Sequence, residues 1–542
     1  MTKKSLVKGA AVLAVAGIFV KILGAFFRIP LTNIVGDAGM ANYAPAYSIY
    51  SVLLVFATAG LPVAISKMVS ERCAVGQFRE AERVFKISRS LMIAIGVVGF
   101  CLLFFLDEFI ANLVKIPGAS LSMQAMAPAL LLVPLMASYR GYFQGMQEMV
   151  PTAVSQVVEQ IFRVVCGLSA AWILMHGSFM AMEYEPQERG AAGGCLGAAA
   201  GAVGGLVTIL IIYLMSRGSI KRRIRNDKTA EFEAPATILK KIVGIAIPIT
   251  IGATIMPLVN LIDAGIVKTR LLDAGFADDV ANSMYGQLTA FAEPIIGFPQ
   301  VMITSIVVSL VPMVSAANKL KNRAELHNNI SLGFRMAMIL AFPCAAGLFV
   351  LAGPVLTLLY PTQKASALSA VPCMQVLALG FVFLALITTM TGILQGLGRQ
   401  VYPVINLFFG VLVKLVATWL LTALPSVNIV GAAIGTMIAY IVAASLDFMA
   451  VKKFTGVKLS AAQIIVKPLI GAIVMAIPVH FVYVGLYGVI GSNTLATAFS
   501  IIVGVVIYGL MILKTKAITR EELLNISGGR KLVSLCDKLR LW

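Results

Sequence analysis

Long apolar stretches separated by short polar segments run along almost the whole chain. A helix that crosses a bilayer needs about 20 predominantly apolar residues, and each stretch has roughly that length. None shows the ten-residue alternation of a membrane β-strand. The pattern predicts an all-α integral membrane protein with 14 transmembrane helices. We number them α1 to α14, at residues 8–29, 41–66, 88–106, 122–146, 152–175, 191–216, 238–263, 285–313, 329–351, 368–394, 402–424, 429–451, 464–487 and 494–513.

The composition excludes a soluble protein. Hydrophobic residues make up 59% of the 542 residues and charged residues only 12%, which is about half the charged fraction of a typical soluble domain. A signal peptide on a soluble protein does not explain the pattern, because the apolar stretches continue to residue 513.

The net charge of +19 would suit a nucleic-acid partner, but the distribution of the basic residues argues against one. With the N-terminus inside and the helices alternating in direction, 33 of the 43 Lys and Arg fall in inner segments and 5 in outer loops. This asymmetry is typical of a multi-pass protein of the cell membrane with both termini in the cytoplasm. We expect the basic inner segments to contact anionic lipids.

A basic segment, SRGSIKRRIRNDKTAEFEAPA, lies near the middle of the first twelve helices and predicts a linker between two six-helix halves. Helices α13 and α14 lie outside this symmetry. After them, apolar residues recur at helical spacing among basic ones, which predicts an amphipathic helix on the inner membrane surface. The predicted parts are an N-lobe at 1–216, a cytoplasmic linker at 217–237, a C-lobe at 238–451, α13 and α14 at 452–513, and the tail at 514–542.

An internal repeat supports the two halves. RGYFQGMQ at the end of α4 matches TGILQGLG at the end of α10 at an offset of 251 residues, and the same offset places Arg163 of α5 onto Lys414 of α11. A second match, AGLP in α2 and IGFP in α8, has a different offset. Repeats of this kind place the substrate site between the lobes, near the middle of the membrane.

Two cations interrupt the apolar stretch of α1. Lys21 and Arg28 are seven residues apart, so they share one helix face. A charge at the bilayer centre costs at least ~2.5–3.5 kcal/mol unless it faces a cavity or a partner. We expect this face to line a polar cavity, although Arg28 could instead extend to the outer interface.

Further charges lie within other helices. Glu159 and Arg163 are four residues apart on α5 and could form a structural pair; alternatively, Arg163 joins Lys21 and Lys414 in a cationic cavity. Glu293 of α8 could pair with Lys21 or Arg28, or mark a helix break. Arg140, at the inner end of α4, could receive a phosphate or anchor the helix. Near the inner end of α12, we expect Asp447 to be solvated.

No motif for catalysis or metal binding is visible. The seven cysteines include no CxxC pair, the three histidines are far apart, and there is no P-loop or GxGxxG. We therefore expect no enzyme activity, no disulfide and no metal or organic cofactor. A coupling ion, Na⁺ or H⁺, stays open.

Three stretches resemble a known family: GAAVLAVAGIFVKILGAFFRIPLTNIVG, GLPVAISKMVSE and YRGYFQGMQEMVPTAVSQVVEQIFRV. They are similar to the MurJ-like branch of the MOP (multidrug/oligosaccharidyl-lipid/polysaccharide) flippase superfamily, which includes stage V sporulation protein B. The resemblance covers nearly the whole chain. It implies a flippase that moves an undecaprenyl-pyrophosphate-linked saccharide, most simply lipid II, from the inner to the outer leaflet by alternating access. The product would supply cell-wall or spore-cortex peptidoglycan.

The resemblance also implies a cationic cavity with essential basic residues on α1, which correspond here to Lys21 and Arg28 with a spacing one residue longer. Arginines that Gram-negative members carry in α2 and α8 are absent here. The partner would be the lipid-linked oligosaccharide, and we expect a monomer. The alternative is a cation-coupled multidrug exporter of the same superfamily, but such a mechanism favours carboxylates where this chain has mainly basic residues.

Overall fold

The computed structural model describes residues 3–113, 116–177, 183–227 and 233–517, and these residues confirm the all-α architecture. The predicted tail helix lies outside them. Short helices join the long ones at Asp107–Leu113, Ala352–Leu359 and Lys364–Ser369, in loops that the charge pattern predicts to be outer. The long helices are α1 and most of α2 within Lys3–Thr58, the end of α2 at Leu61–Ala74, α3 at Phe78–Phe105, α4 at Ser120–Gly145, α5 at Val150–His176, α6 at Pro186–Arg225, α7 at Pro235–Asp273, α8 at Glu293–Lys319, α9 at Arg323–Val350, α10 at Val371–Gly396, α11 at Val401–Thr422, α12 at Val430–Thr455, α13 at Lys467–Ile490 and α14 at Asn493–Lys514.

Within the described residues, 13 stretches are long and apolar enough to span a membrane. The first of these, Val15–Ala74, has 60 residues and contains both predicted helices α1 and α2. A straight helix of that length would reach about 90 Å, roughly three times the thickness of the apolar bilayer core. Gly36 divides it, with a φ of 72° that glycine adopts without a steric penalty.

Two predicted helix ends differ from the structure. Helix α6 continues to Arg225 instead of ending near residue 216, so the first part of the basic linker is helical. Its last turn carries Arg222, Arg223 and Arg225, and cations at this position interact favourably with the helix dipole. Helix α8 is preceded by helical residues from Asp278 through a π-helical segment at Gln287–Ala292, which brings Glu293 to the junction.

The described residues group into two compact units, 1–268 and 269–542. The same helix pairs pack together inside each unit: α2 with α4, α3 with α4, α4 with α6 and α5 with α6 in the first, and α8 with α10, α9 with α10, α10 with α12 and α11 with α12 in the second. These contacts follow the repeat predicted from the sequence. The predicted lobe boundary at the linker, and the superposition of the lobes, stay predictions.

Glycines of the repeated motif explain why these pairs recur. A Cβ atom on Gly145 would lie 2.6 Å from the Val69 Cβ of α2, and one on Gly396 would lie 2.9 Å from the Val314 Cβ of α8. Real Cβ atoms do not approach so closely, so only glycine allows the backbones to meet at these two points. The motif read as a sequence repeat is therefore a helix-packing motif in both units.

Helices α13 and α14 pack on each other, and α13 also packs on α9. Tyr508 of α14 donates its hydroxyl to the Ile339 carbonyl of α9 at 2.8 Å. This bond gives the hydroxyl of the buried Tyr508 a hydrogen-bond partner, while its ring belongs to the same apolar core as Met475 and Val479.

Candidate functional site

Helix α1 presents two cations of different exposure in the first unit. Lys21 is exposed and Arg28 is half-buried. Between them, a Cβ on Gly24 would lie 3.5 Å from the amide nitrogen of Gln160, so this part of α1 packs against α5. The Arg28 guanidinium carbon lies 5.9 Å from the centre of the Tyr47 ring on α2.

Arg163 of α5 approaches the same tyrosine. Its guanidinium carbon is 5.2 Å from the centre of the Tyr47 ring and 5.9 Å from that of Phe27. Attraction between a cation and an aromatic face is strongest where water is excluded. Thus Arg28 and Arg163, from two different helices, come together on one aromatic ring.

Tyr47 belongs to a row of tyrosines that the sequence analysis missed. Tyr43 and Tyr47 stack with ring centres 5.9 Å apart and an interplanar angle of 7°, and Tyr50 follows with its ring centre 6.0 Å from that of Tyr47. Their spacing of four and three residues places them on one helix face, so the signal was present in the sequence. The row supplies apolar faces and phenol hydroxyls beside the two arginines.

Glu159 pairs with a different arginine from the one that its spacing suggested. Its carboxylate accepts a hydrogen bond from the Arg140 Nη2 of α4 at 2.8 Å, and the Arg140 Nε donates to the Ser155 hydroxyl at 2.9 Å. Within the described part of the chain, Glu159 forms no ion pair with Arg163. Arg140 therefore bridges α4 and α5, and Arg163 keeps its position beside Tyr47.

In the second unit, Lys414 of α11 and Glu293 at the start of α8 both lie close enough to the Tyr440 hydroxyl of α12 to act on it electrostatically. Lys414 is half-buried and Glu293 is exposed. This unit thus also combines a cation, a tyrosine and a carboxylate, although their helices differ from those of the Arg163 group.

Arg163 and Lys414 occupy equivalent positions in their own units. A Cβ on Gly197 of α6 would lie 2.6 Å from the Arg163 carbonyl oxygen, and one on Gly435 of α12 would lie 3.3 Å from the Lys414 carbonyl oxygen. Each cation therefore sits where its helix crosses a glycine of the next helix. Whether the seven predicted site residues bind a common substrate stays a prediction.

An apolar groove lies within the second unit. Its volume is about 840 Å³, and it is lined by α8, α9, α13 and α14, including Phe298, Met302, Pro343, Met475 and Tyr508. Nearly all of its surface is hydrocarbon, which suits an apolar chain rather than a charged group.

Among the described residues, no group of three or more His, Cys, Asp or Glu could hold a metal ion. Asp447 differs from the sequence-based expectation: it is 1% exposed rather than solvated. The reason is the close packing of α11 and α12, where a Cβ on Gly410 would lie 2.8 Å from the Ala439 carbonyl oxygen.

An ionic cluster joins the end of α2 to the segment before α7 in the first unit. The Arg72 guanidinium lies 3.0 Å from Glu233 and 3.8 Å from Glu80, and the Lys241 ammonium donates to Glu233 at 2.9 Å. The Glu233 backbone amide donates to Glu80. We refer to Arg72, Glu80, Glu233 and Lys241 as the inner clasp, on the side that the charge pattern predicts to be cytoplasmic.

The inner clasp should weaken in acid. The hydrogen bond from Lys241, together with the charge of Arg72, lowers the pKa of Glu233 below its ordinary value. A lowered pKa in the folded state means that the stabilisation is present above the ordinary value and is lost as pH falls through the lowered one. We expect the thermal stability of the purified protein to fall less on acidification in Glu233→Gln than in the wild type.

Glu71→Gln serves as the control for this measurement, because the ion pair that the described residues show for Glu71 is an exposed one with Lys67, and such pairs contribute little. Its acid profile should follow the wild type. An acid profile of Glu233→Gln that matches the wild type would contradict the assigned role of Glu233.

Comparison with known proteins adds to this geometry. The model of the family described as "Polysaccharide biosynthesis protein" matches residues 6–318, more than half of the chain. The chain belongs to this family. A second family model, MatE, matches residues 288–420.

Individual proteins are similar to the chain over most of its length. The chain is 27% identical to the lipid II flippase MurJ of Bacillus subtilis (strain 168), covering 83% of each chain. It is 26% identical to stage V sporulation protein B of the same strain, covering 84% of this chain and 85% of the relative. A solved structure of a lipid II flippase MurJ in an inward closed conformation matches with a TM-score of 0.64 at 15% identity, covering 92% of this chain and 97% of that one.

These matches confirm the resemblance to the MurJ-like branch of the MOP superfamily and the fold of a multi-pass membrane protein. The family assignment does not identify the substrate.

Proposed function

We propose that the protein is a flippase for an undecaprenyl-pyrophosphate-linked saccharide, most simply lipid II, which it moves from the inner to the outer leaflet of the cell membrane. The observation that carries the proposal is the convergence of Arg28 and Arg163 on Tyr47 within an apolar helix bundle. Cations held among apolar helices need a counter-charge or a polar cavity. A pyrophosphate supplies the counter-charge during transport.

The chemistry of the head group agrees with these residues. Arginine presents a planar set of donors that matches phosphate oxygens, and charge-assisted hydrogen bonds of this kind are about twice as strong as neutral ones. Tyr47 adds a hydroxyl and a flat aromatic face beside the two guanidinium groups. These suit the part of the head group where the pyrophosphate is joined to the sugar. Lys21 and Lys414 would contribute further positive charge along the path.

The tail of the substrate has different requirements. A polyprenyl chain is hydrocarbon throughout and gains free energy by staying out of water. The groove of about 840 Å³ between α8, α9, α13 and α14 offers a matching surface. Within the second unit, we assign this groove to an apolar chain such as the polyprenyl tail. Movement of the head group by alternating access breaks no bond, so no catalytic residue is needed.

The test is depletion of the protein, followed by measurement of lipid II in each leaflet with a probe that does not cross the membrane. We expect lipid II to accumulate in the inner leaflet. Re-expression should restore the outer pool. Unchanged lipid II in both leaflets, together with increased sensitivity to cationic drugs, would contradict the proposal and favour the exporter alternative.

The same assay tests the cation on α1. Lys21→Gln should fail to restore flipping, because glutamine keeps most of the side-chain length and removes the charge. Lys21→Arg should restore part of the activity, because the charge remains while the donor geometry changes. Both variants should reach wild-type levels in the membrane, since Lys21 is exposed in the structure. Full restoration by Lys21→Gln would remove Lys21 from the substrate site.

A further inference from the structure

Asp447 is a carboxyl group in an unusual environment. It lies on α12, eight residues before the helix ends at Thr455, and it is 1% exposed. A carboxylate removed from water is strongly destabilised unless it is paired with a cation or receives several hydrogen bonds. Its partners therefore decide whether Asp447 can carry a negative charge.

The partners of Asp447 are too few for a buried anion. The side-chain amide of Asn406 on α11 donates to Oδ1 at 2.8 Å. The other oxygen, Oδ2, is buried and has no hydrogen-bond partner among the described residues. No Lys, Arg or His of the described chain forms an ion pair with it.

Two other buried carboxyl groups of this protein are better supplied with partners. Asp107, 4% exposed, accepts hydrogen bonds from the Ser120 hydroxyl and from the Gln124 amide. Glu80, 3% exposed, lies near Arg72 and Arg83. Asp447 differs from both, because it has one hydrogen-bond donor instead of two and no ion pair among the described residues.

The helices packed around Asp447 bring no charge close to it. Helices α10 and α11 are the neighbours of α12 in this unit, and α10 carries no charged residue along Val371–Gly396. The titratable groups on these helices are Cys373 on α10, Tyr402 and Lys414 on α11, and Tyr440, Lys452 and Lys453 on α12 itself. Two further groups lie at the end of α12, seven and eight residues beyond Asp447: Arg399 is 4.9 Å from the centre of the Phe454 ring, and a ring nitrogen of His327 is 2.8 Å from the Thr455 carbonyl oxygen. Lys414 is eight residues from Asn406, about 12 Å along the helix axis, and Lys452 and Lys453 are exposed.

We propose that Asp447 and Asn406 form a proton-binding site in which Asp447 is a neutral carboxylic acid at physiological pH. The geometry gives each atom a role. Asn406 donates to Oδ1, which stays the carbonyl oxygen, and the proton resides on Oδ2. A proton is the ligand that suits this site, because no group of three or more His, Cys, Asp or Glu among the described residues could hold a metal ion, and a hard cation such as Mg²⁺ or Ca²⁺ requires six or more oxygens.

The position of the site suggests how the proton is exchanged. Asn406 is five residues from the start of α11 at Val401, so the pair lies about 8 Å from that helix end along the axis. A small opening between the ends of α11 and α12 would admit water to Oδ2. As a consequence that rests on the proposed function, release and uptake of this proton would be coupled to the flipping cycle.

Infrared spectroscopy on the purified full-length protein tests the site without any substrate, by comparing the spectrum of the wild type with those of two variants. At neutral pH the wild type should show the carbonyl band of a buried, protonated carboxyl group. Asp447→Asn should lack this band, and Asp107→Asn, the matched buried aspartate with two donors, should retain it. A band that persists in Asp447→Asn would overturn the proposal. Because the spectrum does not depend on flipping, its result is separate from the fate of the proposed function.

The unfolding temperature of Asp447→Asn and the response of the carboxyl band to Na⁺ are two further tests of the proposal. Asparagine resembles neutral aspartic acid in size and charge, so Asp447→Asn should unfold at the same temperature as the wild type or higher; a clear loss of thermal stability would indicate an ionised aspartate and overturn the proposal. Adding Na⁺ to sodium-free buffer should leave the carboxyl band unchanged. Loss of the band on adding Na⁺ would show that a metal cation displaces the proton, which also contradicts the assignment.

Discussion

Replacing Arg163 by glutamine is expected to abolish complementation in a flippase-depleted strain and to lower the initial rate of lipid II transport in vesicles by about 10–100-fold. Hydrogen bonds to a charged group contribute about 1.5–3 kcal/mol each, and 1.4 kcal/mol corresponds to a factor of ten. Arg163 lies 5.2 Å from the Tyr47 ring centre and forms no ion pair among the described residues that would compete for its charge. Losing it therefore removes a contact available to the substrate.

Arg163→Lys should retain part of the activity, since lysine is the residue at the equivalent position, Lys414, in the second unit. Arg222→Gln provides the control, because Arg222 is an exposed arginine beyond the apolar part of α6. It should transport at the wild-type rate. Membrane levels of all three variants are measured by blot. Wild-type transport by Arg163→Gln would remove Arg163 from the pyrophosphate site and leave its contact with Tyr47 as a packing feature.

Adding side chains at the repeated glycines should have the largest effect on folding. Gly145→Ala is expected to cost about 1–3 kcal/mol of stability, the range observed for overpacked sites, and Gly145→Leu should leave little folded protein. A Cβ at this position would lie 2.6 Å from the Val69 Cβ and 2.8 Å from the Ser66 carbonyl oxygen. The backbone oxygen cannot rotate away, so α4 would have to move from α2.

Gly396→Ala should behave like Gly145→Ala, because a Cβ there would lie 2.9 Å from the Val311 carbonyl oxygen. Gly297→Ala is the control: nothing lies within 4 Å of its added Cβ, and replacing glycine by alanine inside a helix stabilises it by up to about 1 kcal/mol. The measurement is the unfolding temperature of purified protein together with the yield of monodisperse protein. Equal unfolding temperatures for Gly145→Ala and Gly297→Ala would contradict the assigned packing.

The internal repeat shows how far sequence reasoning reached. The matching GxxQG segments predicted two related halves, and the structure places the glycines of both at the same kind of helix crossing. The repeat also matched Arg163 with Lys414, and each lies beside a glycine of the following helix. These features follow from local sequence, because a glycine at a fixed helical position creates the same groove wherever the motif occurs.

The partners of charged residues were harder to predict from the sequence. Spacing along α5 left open whether Glu159 pairs with Arg163, and in the structure Glu159 pairs instead with Arg140 of α4 at 2.8 Å. Helical spacing states only which side chains can meet on one helix; it does not state which side chains a neighbouring helix brings closer. The tyrosine row of α2 had the spacing of one helix face, but only the packing of α1 and α5 shows that Arg28 and Arg163 both lie against Tyr47.

By itself, the sequence determined the membrane class, the number of apolar stretches and the repeat, because these depend on hydropathy and length, which act locally along each helix. The tertiary structure decided which ions pair, that Asp447 is buried instead of solvated, and that four helices enclose an apolar groove. The physical reason is that the cost of a charge or a cavity depends on every group within a few ångströms, and in a helix bundle most of those groups belong to other helices. Asp447 shows this most directly: its sequence position near a helix end suggested water, whereas the packing of α11 against α12 leaves it one amide donor.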